Sequence, residues 1–541
     1  MGSSSSWDHW LDVGDATLMK LLKEHGQDIN TFESSQSGGD TQIPEDYAEV
    51  VPLPAGWLRL RMGGGGEVVG QLVSDPLEQH PVDAPLGFAE TEIDELQGWV
   101  TQNRDIFPTL DRWYRLLRDP QRENYAVAIH ERDDAEPRLV ITGVYPDVVL
   151  CEASSPAVAF VEPHPDVPGG ARACLLPITA AASQDPPRVL AEGPAGGVRI
   201  ERCSIRRFIK VGYGVRSSRV WRLFDVTWPD PQAMSTPAPV HDPDLVDIAL
   251  LEGEAVLVQA TNEGEQWHID VSGFTDGRVR GQRRVATGQG EVRHVIGGDG
   301  SVLVHVNRTD AHGRVEHLCL VSVVDPAQIP KEPEPVLSSP GTFALNLNIC
   351  ATSVGFAAAE LRTGTPPVVW YLDRTGRVLN PSNQPGPDVH FAYERFVSPD
   401  GYQCSLDIRW RGDSDTFHGP VIFMVYGAYG IDIDLDSDQG LGHWLDRGYA
   451  VATAHVRGGG DAPRHRAGSR NRRDRSLADT IAAVEWLRSG RGAATATKVC
   501  VIGASAGGFL VASLLAEESV TVDAAVIVNG YIDPLEALLR R

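Results

Sequence analysis

Val499-Cys500-Val501-Ile502 is an apolar run of strand type that passes directly into Gly503-Ala504-Ser505-Ala506-Gly507-Gly508. A Gly-x-Ser-x-Gly sequence between a strand and a helix sets a serine hydroxyl on a turn too sharp for bulky flanking residues. Gly503 and Gly507 are the positions at which a side chain would block that turn and the packing of strand on helix. A serine hydroxyl is a poor nucleophile until a base takes its proton and donors hold the oxyanion that forms. The backbone N–H of Ala506, directly after the serine, is the expected first donor. A second is expected from a loop after an earlier strand, where Val425-Tyr426-Gly427-Ala428-Tyr429-Gly430 offers Tyr426. With an elbow of this kind, the helper acid and then the histidine follow the serine. The last histidine here is His465.

Alternating strand and helix patterns are what would position such a serine. Strands are expected at Val421–Val425, Ala450–His455, Lys498–Ile502 and Ala524–Asn529, with helices near Leu441–Arg447, Leu477–Arg488 and Ala506–Ala516. These lengths predict a parallel sheet with helices on both faces and catalytic groups at the carboxyl ends of its strands. Ahead of them, from about residue 120 to 385, short β-rich runs alternate with Gly, Asp, Pro and Asn turns. Tyr125–Ile129, Ala157–Val161, Phe208–Val211, Ala255–Gln259, Ser301–His305 and Ser353–Ala357 look like one recurring unit. A recurrence of roughly 40–50 residues in all-β sequence points to propeller blades. From Thr91 to Leu117 apolar residues recur at helical spacing and Pro108 interrupts them, which predicts two amphipathic helices. Residues 1–70 read as irregular, with a short helix at Ala16–His25 and a flexible glycine loop at Gly63–Gly66.

A chain of 541 residues exceeds one core and predicts two or three domains. Its net charge of −25 argues against a general nucleic-acid binder. No apolar run has the length of a membrane span, and no secretory leader is evident. The seven cysteines are dispersed singly without metal-ligand spacing, which fits a reducing cytoplasm.

Three motifs carry a resemblance. Tyr426-Gly427-Ala428-Tyr429-Gly430, Ala454-His455-Val456-Arg457-Gly458-Gly459-Gly460 and Gly503-Ala504-Ser505-Ala506-Gly507-Gly508 occur in the order and spacing of the prolyl oligopeptidase family. The pattern is most similar to the oligopeptidase B branch. Ser398-Pro399-Asp400-Gly401 resembles the family's entry into its hydrolase domain, and Asp479 falls where the family has an aspartate on the helix after the glycine loop. The resemblance implies a seven-bladed β-propeller capping an α/β-hydrolase domain, with an N-terminal helical stretch packed on the latter. The expected division is a flexible segment at 1–70, a helical segment at 71–120, a propeller at 121–388 and an incomplete hydrolase domain at 389–541.

The resemblance further implies Ser505 as nucleophile, with the Ala506 N–H and the Tyr426 hydroxyl as oxyanion donors. It implies a cytoplasmic serine peptidase acting on short peptides, with no cofactor, metal, nucleic acid or membrane partner. The family's acid and histidine lie beyond Arg541, and Asp523 and Asp533 come too early to be the acid. The chain is therefore expected to be nearly inactive alone, as a split enzyme completed by a separate C-terminal polypeptide, a truncated frame or a degenerate homologue. Alternatives are a non-catalytic peptide-binding propeller protein, and an esterase or acylaminoacyl-peptidase of the same fold. His455 reads as a structural residue at a strand end, and His465 as part of an unanchored loop. Seven arginines against two aspartates over 457–475 make a basic stretch. It reads as a solvated loop, or as a docking surface for an acidic peptide.

Overall fold

The computed structural model describes residues between Glu49 and Ile532, leaving aside connecting segments of which 74–85, 89–99, 179–185, 346–354 and 380–388 are the longest. The Ala16–His25 helix, the Gly63–Gly66 loop and Asp533 lie outside the described residues. Seven antiparallel sheets of three or four strands, each paired in sequence order, follow one another between Glu49 and Asp373 among the described residues. Their apolar residues are shared between neighbours. Val127 and Ile129 of the second sheet pack with Val158 and Phe160 of the third. Trp221 and Leu223 of the fourth pack with Ile248 and Leu257 of the fifth. Leu303 and Leu318 of the sixth pack with Phe356 and Trp370 of the seventh. Glu49–Leu53 of the first sheet lies against Gly355–Leu361 of the seventh, so the succession closes on itself as propeller blades do.

Two expectations are corrected. The span read as two amphipathic helices holds the strands Val100–Ile106 and Arg112–Arg118, paired in one antiparallel sheet. Tyr114, Arg115, Leu116 and Leu117 are all buried, so this strand has no polar face and lacks the alternation that marks a strand in sequence. Among the described residues of 71–120 the elements are strands of the first two sheets, and 74–85, 89–99 and 107–111 lie outside the described residues. Nor is 1–70 wholly irregular, since Glu49–Leu53, Gly56–Met62 and Val68–Val73 are strands. Five of the six recurring runs are the second strand of their sheets, while Tyr125–Ile129 is a third strand.

The last sheet is of another kind. Its strands are β1 (Val389–Val397), β2 (Gln403–Arg411), β3 (Phe417–Met424), β4 (Ala450–His455), β5 (Ala494–Ala504) and β6 (Ala524–Val528), in the spatial order β1-β2-β4-β3-β5-β6. β3, β4, β5 and β6 run parallel, whereas β1 and β2 join antiparallel, so the predicted parallel sheet is mixed. Alternate residues of β3 serve two cores. Val421 and Phe423 meet α3 (Arg473–Ser489) and α4 (Ala506–Leu515), which lie on one face. Ile422 and Met424 meet α1 (Gly442–Asp446) on the other. The seventh small sheet is pinned to this one by Thr363, whose Oγ1 and N–H both donate to Asp436 Oδ1 at 3.0 Å. Asp436 in turn pairs with buried Arg409 at 2.5 Å.

Candidate active site

β5 ends at Ala504, α4 starts at Ala506, and Ser505 between them has φ 50° and ψ −116°. Such a conformation costs a non-glycine residue about 1–3 kcal/mol and persists only where its surroundings hold it. Here Ser505 N–H donates to Val528 O at 2.9 Å, and Ser505 O accepts from Tyr531 N–H at 3.0 Å and Gly508 N–H at 3.1 Å. A Cβ on Gly503 would lie 2.5 Å from Gly507 O, and one on Gly507 would lie 2.5 Å from Val425 O and 3.0 Å from Tyr426 Cα. The glycines of the elbow are therefore steric requirements, as read from sequence. Ser505 is part-exposed and Ala506 is buried. The N–H of Ala506, in the first turn of α4, has no carbonyl to bond within the helix.

The structure brings Tyr426 against this turn. β3 and β5 remain hydrogen-bonded as far as Val425 N–H to Ile502 O at 3.0 Å. The chain then leaves the sheet through Gly427, at φ 58°, whose Cβ position is 2.7 Å from Val456 Cγ2. Gly430 N–H donates to Gly458 O at 3.0 Å, which ties the tyrosine loop to the glycine loop after β4.

Arg457 anchors that glycine loop and is 2% exposed. Its backbone N–H donates to Asp479 Oδ2 at 2.9 Å, and its Nη2 donates to Asp479 Oδ1 at 2.6 Å. Nη1 donates to Asp400 Oδ2 at 2.5 Å, Nη2 reaches Ser398 Oγ at 3.3 Å, and the guanidinium lies 4.5 Å from the centre of the Tyr402 ring. The Arg-Gly-Gly-Gly and Ser-Pro-Asp-Gly segments thus meet at one buried cation, with Asp479 as its fully buried partner.

His455, at the end of β4, lies between Asp407 Oδ2 at 3.2 Å and Asp432 Oδ2 at 3.5 Å. Burial opposes its charge, but the two carboxylates outweigh burial and raise its pKa to about 9. It is a structural cation. His465 Nδ1 bonds Gly458 O at 2.9 Å. Among the described residues no side chain hydrogen-bonds the Ser505 hydroxyl. Asp523 sits at the opposite end of the sheet, where it accepts from Val499 N–H at 2.8 Å and pairs with Arg488.

The basic stretch is not an unanchored loop. It forms α2 (Ala462–Gly468), a 3₁₀ turn at Arg470–Arg472 and the start of α3. Arg464 pairs with Asp432, and Arg473 donates to Gly427 O and, at 3.4 Å, to Ala506 O. Arg466, Arg470, Arg472 and Arg475 are exposed. Sequence reading missed Asp407, Asp432 and Arg473 as parts of the site's support; only the closeness of Asp432 to the tyrosine loop hinted at them. No group of three or more metal-ligating side chains occurs among the described residues, and no described helix is long and apolar enough to cross a membrane.

The model of the prolyl oligopeptidase family (Peptidase_S9) matches residues 439–540, which span the glycine loop and the elbow. The prolyl endopeptidase-like protein of Pongo abelii is 28% identical over 145 residues, 26% of this chain and 20% of that protein. The uncharacterized peptidase y4qF of Sinorhizobium fredii (strain NBRC 101917 / NGR234) is 37% identical over 120 residues, 20% of this chain and 15% of that protein. The aligned part thus spans about a fifth or less of these curated relatives. Oligopeptidase B from Leishmania major superposes with a TM-score of 0.63 at 16% identity, over 88% of this chain and 69% of that one, and so shares the fold of small sheets and hydrolase sheet. Over residues 439–540, which hold two of the three motifs, the chain matches the prolyl oligopeptidase family model, and its framework is that of a solved oligopeptidase.

Proposed function

We propose that the chain is a serine peptidase that cleaves short peptides by acylation of Ser505. The observation that carries this is the elbow: a strained serine, held by three backbone hydrogen bonds, at the carboxyl end of a central parallel strand. Ser505 Oγ attacks the scissile carbonyl. The oxyanion is held by the Ala506 N–H and the Tyr426 hydroxyl, the leaving amine departs protonated, and water then releases the acyl group. The seven small sheets act as seven blades of a filter that admits unstructured peptides and excludes folded proteins.

Removal of the Ser505 proton needs a base. His455 is locked between Asp407 and Asp432, and His465 is turned to Gly458 O, so neither fills that role. No described side chain supplies that base at Ser505, and without a base hydrolysis falls by several orders of magnitude. The test is labelling by a fluorophosphonate probe, with peptide mass mapping to Ser505 and Ser505→Ala as control, alongside hydrolysis of a short-peptide library. Covalent labelling at Ser505 that disappears in the variant is expected. Peptide turnover that survives Ser505→Ala would refute the proposal.

A further inference from the structure

The hydrogen-bonded ladder between β3 and β5 stops at Val425 and Ile502, before either oxyanion donor is reached. Beyond that point a side chain bridges the two segments. Arg473, half-buried at the start of α3, donates from Nη1 to the carbonyl of Gly427 and from Nη2 to the carbonyl of Ala506 at 3.4 Å. Gly427 directly follows Tyr426, and Ala506 directly follows Ser505. We propose that Arg473 is a positioning residue for oxyanion stabilisation, clasping the tyrosine loop to the elbow so that the Tyr426 hydroxyl and the Ala506 N–H hold a fixed separation. The inference rests on the serine-peptidase reading of Ser505 for its catalytic meaning, while the clasp itself is a matter of geometry.

Arginine suits the task because its planar fork presents two rigid donors in different directions, whereas a lysine ammonium is a single point of charge on a flexible stem. Arg473 also places a positive charge near the Tyr426 and Tyr429 hydroxyls. That charge favours an oxyanion that Tyr426 contacts. The arginines on either side do not share this placement: the Arg472 side chain bonds the Arg466 carbonyl at 3.4 Å, and Arg475 is exposed.

The full chain is compared with Arg473→Lys and Arg473→Met, with the exposed Arg466→Gln as a charge control. Amide hydrogen exchange over 426–430 and 503–508 is read first. Arg473→Met should accelerate exchange in both segments by about tenfold or more, as loss of charge-assisted hydrogen bonds implies, with Arg473→Lys intermediate and Arg466→Gln unchanged. Unchanged exchange in either segment would overturn the clasp. Ser505 labelling and peptide turnover are read second. The labelling rate and kcat should fall about 10²-fold in Arg473→Met, the effect of misplacing catalytic groups by roughly 1 Å, with KM unchanged. A lower melting temperature with an unaltered kcat per labelled site would reduce Arg473 to a structural residue and refute the positioning role. If Ser505 takes no label even with a base supplied to it, the peptidase reading fails, and the exchange result alone decides the clasp.

Discussion

Titrating His455 measures how strongly the carboxyl ends of the hydrolase strands are locked together. Its pKa moves from 6.5 in the unfolded chain to about 9 in the fold, where Asp407 and Asp432 flank it. A rise of that size corresponds to about 3 kcal/mol in favour of the folded state. The sign follows from proton counting. Above pH 6.5 the unfolded chain has released this proton and the folded chain has kept it, so rising pH favours unfolding. The contribution is complete below about pH 6.5 and gone once pH has passed through about 9. Thermal melts followed by tryptophan fluorescence, at intervals from pH 6 to pH 9.5, are compared between the parent chain and His455→Gln. The variant cancels the titration of groups remote from Asp407 and Asp432. It leaves Asp407 and Asp432 without the imidazolium between them and so melts lower throughout, but that offset carries no histidine slope. For a unit of roughly 150–250 residues, 1 kcal/mol moves the midpoint by about 2–4 °C. The parent should therefore lose about 6–12 °C more than the variant across this range. Parallel curves would refute a charged His455, and a parent that gains relative to the variant with rising pH would reverse the assignment.

Asp479→Ala removes the main partner of buried Arg457 and should cost about 3 kcal/mol, the low end for a broken buried pair because Asp400 remains; urea melts of the two proteins give the difference. Gly507→Ala drives a methyl group into the Val425 carbonyl and should abolish fluorophosphonate labelling of Ser505. Gly448→Ala serves as its control, because a Cβ there meets nothing within 4 Å and only the left-handed backbone penalty of about 1 kcal/mol is expected. Tyr426→Phe removes one oxyanion donor and should lower kcat about 10²–10³-fold with little change in KM, measured on any peptide that the parent chain cleaves.

What sequence could and could not show follows from where each constraint is written. The elbow was legible because its constraint is steric and local: a Cβ at Gly503 or Gly507 would strike backbone within the same few residues or the adjoining strand end. The strands β3, β4, β5 and β6 were legible for a similar reason, since each is a short apolar run bounded by turn residues. Arg112–Arg118 was misread because it is buried on both sides, which erases the period-two signal, and because Arg115 is satisfied by His130 at 3.2 Å on a neighbouring strand. The segment 461–475 was misread for the opposite reason. Its composition is that of a solvated loop, but Arg464 and Arg473 are tied down by Asp432 and by the Gly427 carbonyl, more than thirty positions away. Partners at that separation leave no mark in local composition. The reversed direction of β2 was likewise invisible, because an apolar run does not state which way it points.

The contact between Glu49–Leu53 and Gly355–Leu361 gives the ring of small sheets a seam. Every other joint links neighbours in sequence, so it can form as soon as those two stretches of chain exist. The seam alone must wait until the last sheet is complete, and it alone pays for closing the whole loop. A ring with one late, non-covalent joint opens first at that joint, like a hoop parting where its ends overlap. The seventh sheet borders the seam and is also the one that Thr363 fastens to Asp436 of the hydrolase sheet. Gly313–Ser322 of the sixth sheet also touches β1, so a ring that parts beside the seventh sheet keeps a second joint to the hydrolase sheet.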